Sequence, residues 1–208
     1  MFWTLQQSEE REIVMEIQNP LLSIPGIDRM DIGSLLFVGS YKYYCLMVKN
    51  LQEGICPFCQ IDHKINEILY ENDSWRAWVN PVLGKKNTAL HLVIPCKRHI
   101  THVRQLRRDE GADLVDVFNW ADIEFELPGG GVTMRFGDPL FNAGTIRHLH
   151  CNIQVPDGNG KLEVTLAKDK DKILWHWKVV AIYEKMRLGT PFESLSPEEQ
   201  ELVKDRLG

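Results

Sequence analysis

Residues 145–155 alternate polar and apolar side chains with a period of two, which is the pattern of a β-strand with one buried face. Successive side chains of a strand point to opposite sides of the sheet. The apolar row consists of Leu149, Cys151, Ile153 and Val155. The polar row consists of His148, His150, Asn152 and Gln154. We therefore expect two imidazoles and two amides in a line, with neighbours roughly 6–7 Å apart along the strand.

The two histidines of this strand carry the first functional hypothesis. A single histidine is most often an ordinary hydrogen-bonded polar residue. We apply this interpretation to His63, His91, His102 and His176. By contrast, His148 and His150 stand two residues apart on one face and are followed there by two amides. This spacing allows one substrate or one metal ion to contact two of the four polar side chains.

Length and composition restrict the class of protein. The chain has 208 residues, of which 44% are hydrophobic and 25% charged, as in an ordinary globular protein. A net charge of −5 argues against a stable complex with nucleic acid, because such surfaces are basic. The sequence shows no signal peptide and no membrane span. Five cysteines, an odd number, do not form a disulfide framework. We therefore expect a cytoplasmic protein without membrane contact.

Hydrophobic periodicity predicts an α+β fold, a mostly antiparallel sheet with helices packed against it. Strands are predicted at 67–71, 75–79, 90–95, 132–136, 146–155 and 161–166, with one or two more in 34–48. Helices are predicted at 5–18, at 109–126, and from a capping box at residues 196–199 to about residue 207. The type of the segment around 175–186 stays open. We divide the chain into an N-terminal extension of a helix and strands (1–50), a core (51–167) and a C-terminal helical extension (168–208).

A second chemical signal is the sequence Cys56-Pro57-Phe58-Cys59, because two thiolates separated by two residues can bind one tetrahedral ion. His99 and His148 are candidates for the other two ligands, which gives a Cys2His2 zinc site drawn from three segments. Two other interpretations stay open. In one, the cysteines are inert buried thiols. In the other, they form a redox pair like the similar dithiol of glutaredoxins, which requires a parallel βαβ unit around it.

Four motifs in this order resemble the histidine-triad (HIT) superfamily of nucleotide hydrolases and transferases. They are Cys56-Pro57-Phe58-Cys59, Tyr70-Glu71-Asn72-Asp73, the stretch from Leu90 to Ile100, and the strand at 145–155. The resemblance covers residues 56 to about 157 and implies that the core is a HIT-like catalytic unit. The family pattern is His-x-His-x-His, and Asn152 stands at its third position. The chain is closest in motif chemistry to galactose-1-phosphate uridylyltransferases and dinucleoside-polyphosphate phosphorylases, which also have an amide there, a Gln.

The resemblance implies a role for each candidate residue. His150 is the implied nucleophile, which attacks the α-phosphorus of a nucleotide and forms a covalent nucleotidyl-histidine intermediate. The implied substrate-binding residues are Asn80, Thr145 and Asn152. The implied ligands of a structural zinc ion (Zn2+) are Cys56, Cys59, His99 and His148. The implied substrate is a dinucleotide, a nucleotide conjugate or a nucleotide sugar, and the implied assembly is a homodimer.

Two alternatives from other functional classes remain at this point. In the first alternative, the chain is a HIT-like nucleotide-binding protein with weakened catalysis. The reason is that Asn152 stands where the family has a histidine that can donate a proton. In the other, the Cys56-Pro57-Phe58-Cys59 motif makes the chain a thiol oxidoreductase. Metal content separates the second alternative from a zinc protein, because bound zinc protects both thiols.

Overall fold

The fold is that of a computed structural model, which describes residues 34–80, 86–166 and 170–208. Its strands are β1 (Tyr70–Glu71), β2 (Arg76–Val79), β3 (Thr88–Pro95), β4 (Gly131–Arg135) and β5 (His150–Pro156). Its helices are α1 (Tyr41–Glu53), α2 (Arg108–Phe125), α3 (Pro139–Asn142), α4 (Lys170–Arg187) and α5 (Pro197–Val203). Short 3-10 turns lie at Leu35–Phe37, Val103–Gln105, Phe192–Ser194 and Lys204–Arg206. Within these ranges, no helix has the length and apolar character needed to cross a membrane.

The five strands form one antiparallel sheet in the order β1-β2-β3-β5-β4, which confirms the predicted α+β class. Strand β5 is paired on both sides, with β3 and with β4. Its first residue, His150, lies opposite Pro95 of β3 and Arg135 of β4. All residues of β5 up to Val155 are buried, so both faces of this strand are covered.

The apolar row of β5 forms a core with helix α2. Cys151, Ile153 and Val155 belong to the same buried cluster as Val117 and Ala121 of this helix. The helix predicted at 109–126 is confirmed, and its observed bounds differ from the predicted ones by one residue. Its apolar residues recur every three or four positions, so they share the face that packs on the sheet. This core holds the polar row of β5 on the opposite side of the sheet.

A second core joins the two ends of the described chain. It contains Tyr44, Met47 and Leu51 of α1 together with Val179 and Tyr183 of α4. The segment around 175–186, whose type the sequence left open, is therefore a helix buried against α1. Cys56 also belongs to this core. The Cys56-Pro57-Phe58-Cys59 motif thus starts from the helical core and reaches towards the sheet.

The strands predicted within 34–48 are wrong, because helix α1 occupies most of that range. The segment is rich in β-favouring tyrosine and valine, but here Tyr44 and Val48 are buried residues of a helix. Its buried residues recur at helical spacing, so one face of a helix can enter the second core. Ser40 caps the first turn, since its hydroxyl accepts a hydrogen bond from the Tyr43 N–H, and Gly54 ends the helix at a φ of 72°. Packing and caps outweigh the local propensity.

The strand predicted at 161–166 is also absent. Two backbone carbonyls of this segment accept hydrogen bonds from side chains and not from the backbone N–H groups of a neighbouring strand. The Asn87 amide donates to the Lys161 carbonyl at 2.7 Å, and the Arg135 guanidinium donates to the Thr165 carbonyl at 3.0 Å. This irregular segment, residues 161–166, therefore lies beside the sheet, and we call it the strap.

The other predictions have mixed outcomes. The last helix begins as predicted, with the Ser196 capping box and Pro197 in its first turn, but it continues after Val203 as a 3-10 turn. The strand predicted at 146–155 begins only at His150, so His148 precedes it. The helix predicted at 5–18 lies outside the described residues. The division into segments 1–50, 51–167 and 168–208 stays a prediction.

A buried carboxylate at the start of α2 leads to a first testable prediction. Glu110, whose side chain is 1% exposed, accepts two hydrogen bonds from Arg98, each 2.8 Å long. The Arg98 guanidinium lowers the pKa of Glu110 to about 2. Such a group stabilises the fold above its unfolded pKa and loses the contribution as the pH falls through its folded value. We expect Glu110→Gln to cost about 3 kcal/mol at pH 7, and less towards pH 2.

Urea unfolding of the wild type and the variant at pH 7, 5, 4 and 3 measures this difference. The control is Glu201→Gln, because Glu201 pairs with Lys204 at 2.8 Å on the exposed surface. We expect that variant to change stability by less than about 1 kcal/mol at any of these pH values. A Glu110→Gln effect that is the same at pH 7 and pH 3 would contradict the assignment.

Candidate active site and metal centre

The Cys56-Pro57-Phe58-Cys59 motif forms a tight turn directly after helix α1. The backbone N–H groups of Cys59 and Gln60 both donate to the Cys56 carbonyl, each at 3.0 Å. This turn brings the two sulfur atoms to the same side. Cys56 is buried, whereas Cys59 is exposed.

Two histidines from distant segments meet this turn. His148 Nδ1 lies 3.4 Å from Cys56 Sγ and 3.6 Å from Cys59 Sγ, and His99 Nδ1 lies 3.2 Å from Cys59 Sγ. All four donor atoms lie within 4.8 Å of one another. A tetrahedral zinc ion with bonds of about 2.0–2.3 Å needs donor atoms roughly 3.3–3.8 Å apart. The three sulfur–nitrogen distances lie close to this spacing, and a set of two thiolates and two imidazoles has the chemistry of a zinc site.

The second ring nitrogen of His148 supports its position as a ligand. Nε2 lies 2.6 Å from the Cys96 carbonyl oxygen, which can only accept a hydrogen bond, so Nε2 carries the proton. The lone pair of Nδ1 is thereby directed to the cysteines, which is the usual arrangement of a metal-binding histidine. A hydrogen bond from Cys59 lowers the pKa of Cys56 against the opposing effect of burial.

His150 is oriented by the backbone two residues before it. Its Nδ1 lies 2.6 Å from the His148 carbonyl oxygen, so Nδ1 carries the proton and donates it to this hydrogen bond. The lone pair of the neutral ring is therefore on Nε2. Burial lowers the pKa of His150 to about 4, and the charge of Arg135 acts in the same direction. At neutral pH the side chain is an uncharged base, as a nucleophile must be.

The ring of Phe58 covers the two histidines of the polar row. Its centroid lies 5.0 Å from that of His150 and 5.7 Å from that of His148, with its plane steeply inclined to both. His150 is in consequence only 7% exposed. The residue between the two cysteines thus contributes to the low-dielectric environment of the candidate nucleophile.

Asn152 ends a chain of polar side chains that runs from Asn80, just after β2, to β5. The Asn80 amide lies 3.1 Å from His91 Nδ1, and His91 Nε2 lies 2.9 Å from Asn152 Oδ1. If the Asn80 amide donates, then His91 Nε2 carries the proton and donates to Asn152. The Nδ2 group of Asn152 is then the remaining donor, and this buried atom has no partner among the described residues.

Thr145 is placed at the junction of the sheet with the second core. Its hydroxyl donates to the Phe37 carbonyl at 3.3 Å, and it also interacts with the hydroxyl of Tyr43. Burial raises the pKa of Tyr43 to about 12. The binding of a phosphate by Thr145 stays a prediction, because the structure gives its hydroxyl these protein partners.

The structure thus brings the four predicted metal ligands together and joins Asn80 to Asn152 through His91. Sequence reasoning missed His91, which it treated as an ordinary hydrogen-bonded residue, and it missed the two neighbours Phe58 and Arg135. Arg135 pairs with His150 in the register of β4 and β5, and its guanidinium donates to the carbonyls of Asn142 and Thr165. Only strand register could have revealed this residue, and register cannot be read from one strand alone.

The sheet topology argues against the glutaredoxin interpretation of the cysteine pair. All pairings of the described strands are antiparallel, and the motif follows helix α1 and not a strand. The parallel βαβ unit on which such a dithiol depends is absent from residues 34–80, 86–166 and 170–208. Fold and site together define an α+β protein with a Cys2His2 cluster beside a buried neutral histidine.

Solved structures similar to this fold include several histidine-triad proteins. A HIT family hydrolase from Clostridium thermocellum is 19% identical, with a TM-score of 0.41, over 52% of this chain and 95% of that protein. A histidine triad protein from Clostridium difficile is 21% identical, with a TM-score of 0.41, over 52% and 96%. A histidine triad nucleotide-binding protein from Candida albicans is 18% identical, with a TM-score of 0.38, over 59% and 87%. No family model and no curated protein matches the sequence.

Proposed function

We propose that this chain is a nucleotidyl hydrolase or transferase that uses His150 as its nucleophile. The substrate is a dinucleotide, a nucleotide conjugate or a nucleotide sugar. The observation that carries the proposal is the hydrogen bond from His150 Nδ1 to the His148 carbonyl, at 2.6 Å. This bond leaves the lone pair on Nε2, and burial keeps the ring neutral.

The reaction has two displacement steps. In the first, the Nε2 lone pair attacks the α-phosphorus, an N–P bond forms, and the bond from phosphorus to the leaving-group oxygen breaks with its electron pair on that oxygen. In the second, the oxygen of water or another acceptor attacks the same phosphorus. The N–P bond then breaks, its electron pair returns to Nε2, and the proton of the acceptor passes to solvent. One difficult displacement is replaced by two easier ones.

The side chains around His150 suit the charge of a phosphoryl group. Arg135, opposite His150 in the sheet, supplies a positive charge. Burial disfavours this charged form and lowers the pKa of the Arg135 guanidinium. Asn152 supplies a buried amide donor for a phosphate oxygen. We assign the remaining substrate contacts to Asn80 and Thr145, as the sequence resemblance implies.

A zinc ion held by Cys56, Cys59, His99 and His148 would be structural, because four protein ligands leave no open position for a substrate. Such an ion would lock the turn that carries Phe58 against the segment before β5. The protein residues alone then hold and orient His150. In solution we expect a homodimer in the cytoplasm, and size-exclusion chromatography with light scattering tests the assembly.

Trapping of the intermediate tests the proposal. The protein is mixed with nucleotide substrates labelled at the α-phosphorus, and the mixture is quenched in acid or in alkali. A phosphoramidate is labile in acid and stable in alkali, so we expect label on the protein only after the alkaline quench. His63→Ala is the matched control because His63 is exposed and belongs neither to the Cys2His2 cluster nor to the polar row of β5. Absence of label with every substrate would reject the proposal.

A second candidate function has its own supporting observation. His150 is 7% exposed beneath Phe58, and Asn152 cannot protonate a leaving group. These features favour a nucleotide-binding protein with weakened catalysis. In that case calorimetry detects binding of a nucleoside monophosphate, while neither label nor turnover appears in the trapping experiment.

A further inference from the structure

The polar groups of Thr145 are bound by residues that precede the metal-binding turn. Its hydroxyl donates to the Phe37 carbonyl at 3.3 Å, and it also shares a hydrogen bond with the hydroxyl of Tyr43 on helix α1. Its carbonyl accepts a third bond, from the Ser34 N–H at 2.7 Å. All three partners come before residue 56, where the resemblance to the HIT motifs begins.

Thr145 also belongs to a loop that is fixed to the His150 end of the sheet. The Asn142 carbonyl accepts a hydrogen bond from Arg135, which pairs with His150 in the register of β4 and β5. The Asn142 side chain in turn accepts a hydrogen bond from the Gly144 N–H at 2.7 Å, and Thr145 is the next residue. These contacts connect α1, through Thr145, to the strand of the proposed nucleophile.

The second core holds both partners of the Thr145 hydroxyl. Tyr43 packs against this core, and its N–H donates to Ser40, the N-cap of α1, at 3.3 Å. Phe37 is buried, and its ring lies edge-on to that of His176 on α4, with the centroids 6.1 Å apart. Two residues on packed elements therefore determine where the Thr145 hydroxyl lies.

The direction of each hydrogen bond at Thr145 follows from the number of protons available. A threonine hydroxyl donates one proton and accepts through two lone pairs. Because the Phe37 carbonyl can only accept, the Thr145 proton points to it, and Tyr43 is the donor to Thr145. Burial raises the pKa of Tyr43 to about 12, so this phenol retains its proton at neutral pH.

The bond from Thr145 to Phe37 is the weaker member of this pair. Its length of 3.3 Å exceeds the roughly 2.7–2.8 Å of a usual O–H···O hydrogen bond. A phosphate oxygen carries negative charge and is a stronger acceptor than a neutral carbonyl. When a substrate phosphate reaches the loop, the Thr145 proton turns from Phe37 to the phosphate, while Tyr43 continues to donate. The bond from Tyr43 polarises the Thr145 O–H group and makes it a better donor.

We propose that Tyr43 is a positioning residue that acts on the substrate through Thr145. This inference rests on the proposed function, in which Thr145 contacts the substrate, and it adds a residue of α1 to the site. Because Tyr43 donates to the Thr145 oxygen, the single Thr145 proton is directed to the α-phosphate of the nucleotide. The oxygens around the phosphorus share the charge of the transition state, and a proton aimed at one of them stabilises that charge.

The test measures how fast His150 is labelled. The probe is a nucleoside 5′-phosphorimidazolide with a radioactive phosphorus, prepared with each common nucleoside. His150 Nε2 attacks the phosphorus, the N–P bond of the probe breaks, and imidazole leaves with the electron pair and takes a proton from solvent. Alkaline quenching at successive times gives the first-order rate constant at saturating probe and the probe concentration at half the maximal rate. Neither quantity depends on the folded fraction of the sample.

The expected results depend on the hydroxyl of Thr145. We expect Thr145→Val to lower the saturating rate on the order of 10²-fold, because it removes the donor to phosphate. Tyr43→Phe removes one hydroxyl and should lower this rate at least about threefold, while the half-maximal concentration changes less than about twofold. In the Thr145→Val background, Tyr43→Phe should have no further effect. Thr145→Ser keeps the hydroxyl, so it should retain the sensitivity to Tyr43→Phe.

Tyr41→Phe is the matched control. It removes a hydroxyl from the same helix, but the partner of this hydroxyl is Cys45 and not Thr145. The rate of labelling in Tyr41→Phe should equal that of the wild type. Equal losses in Tyr41→Phe and Tyr43→Phe would show that any change on α1 slows the reaction, and would overturn the inference.

The remaining outcomes separate the inference from the proposed function. A change of less than about threefold in Tyr43→Phe or in Thr145→Val, with normal labelling of His150, overturns the role of Tyr43 and leaves the proposed function intact. A loss from Tyr43→Phe that persists in the Thr145→Val background also overturns it, because Tyr43 then acts through the fold. If no imidazolide labels the wild type, the proposed function fails, and the inference fails with it.

Discussion

Alanine at position 150 is expected to reduce turnover of the preferred nucleotide substrate on the order of 10³-fold or more, because it removes the atom that forms the covalent bond to phosphorus. The remaining residues of the site still bind the nucleotide, so KM should change much less than kcat. The alkali-stable label on the protein should disappear. Steady-state kinetics and the trapping experiment measure these three effects in one variant.

Two controls make this result specific to the nucleophile. His63→Ala, at an exposed position, should leave kcat, KM and labelling at their wild-type values. His150→Ala should itself still bind the metal with wild-type stoichiometry, because His150 is not among the four clustered ligands. If His150→Ala retains the label, another residue is the nucleophile and the assignment is wrong. If it retains turnover without label, the reaction proceeds by direct attack on phosphorus.

Loss of the metal centre is expected to have the second large effect, on stability. The wild type should contain one zinc ion per chain, and Cys56→Ser should contain little or none. The four ligands join the turn after α1 to the segment before β5, which are separated by about ninety residues of sequence. Binding of a metal to the folded chain alone stabilises that state. We expect the variant to lose about 5 kcal/mol, or roughly 10–20 °C in the midpoint of thermal unfolding.

Metal analysis and thermal unfolding with and without a chelator measure this effect. Cys45→Ser is the matched control, because Cys45 is a free cysteine outside the cluster. That variant should retain its metal, and a chelator should lower its unfolding midpoint as much as that of the wild type. Cys56→Ser and chelated wild type should unfold at similar temperatures. An unfolding midpoint that a chelator does not change would show that the cluster does not hold a structural metal ion in solution.

The secondary structure was predictable where burial follows a simple period. The helix at 108–125 and the strand at 150–156 each have one apolar face. The helix lies within one residue of its predicted bounds, and the strand ends within one residue of its predicted end but begins four residues later. The same reasoning was wrong for 34–48 and for 161–166. In the first segment, contacts with α4 and the caps at Ser40 and Gly54 outweigh β propensity. In the second, the side chains of Asn87 and Arg135 donate hydrogen bonds to backbone carbonyls that would otherwise pair with a neighbouring strand.

The metal cluster was predictable in part. Two cysteines separated by two residues predict a metal-binding turn, because this spacing allows both sulfur atoms to reach one ion. His99 and His148, two of seven histidines, were candidates from their positions on or beside predicted strands, and the family resemblance implied the same pair. The structure places both beside the cysteines, although His148 precedes the strand on which the sequence pattern placed it.

The sequence by itself determined that a polar row of His150, Asn152 and Gln154 faces away from a buried apolar row, because alternation along one strand depends only on local geometry. Tertiary structure alone decided the neighbours of this row. Arg135 lies opposite His150, and the ring of His91 reaches Asn152, because β4 and β3 pair with β5 in one particular register. Beyond Asn152, Gln154 lines a groove of uncharged residues, and Leu162 and Val164 of the strap at 161–166 form part of its wall. Periodicity determines which side of a strand is polar, whereas pairing and packing between distant segments determine what that side can bind.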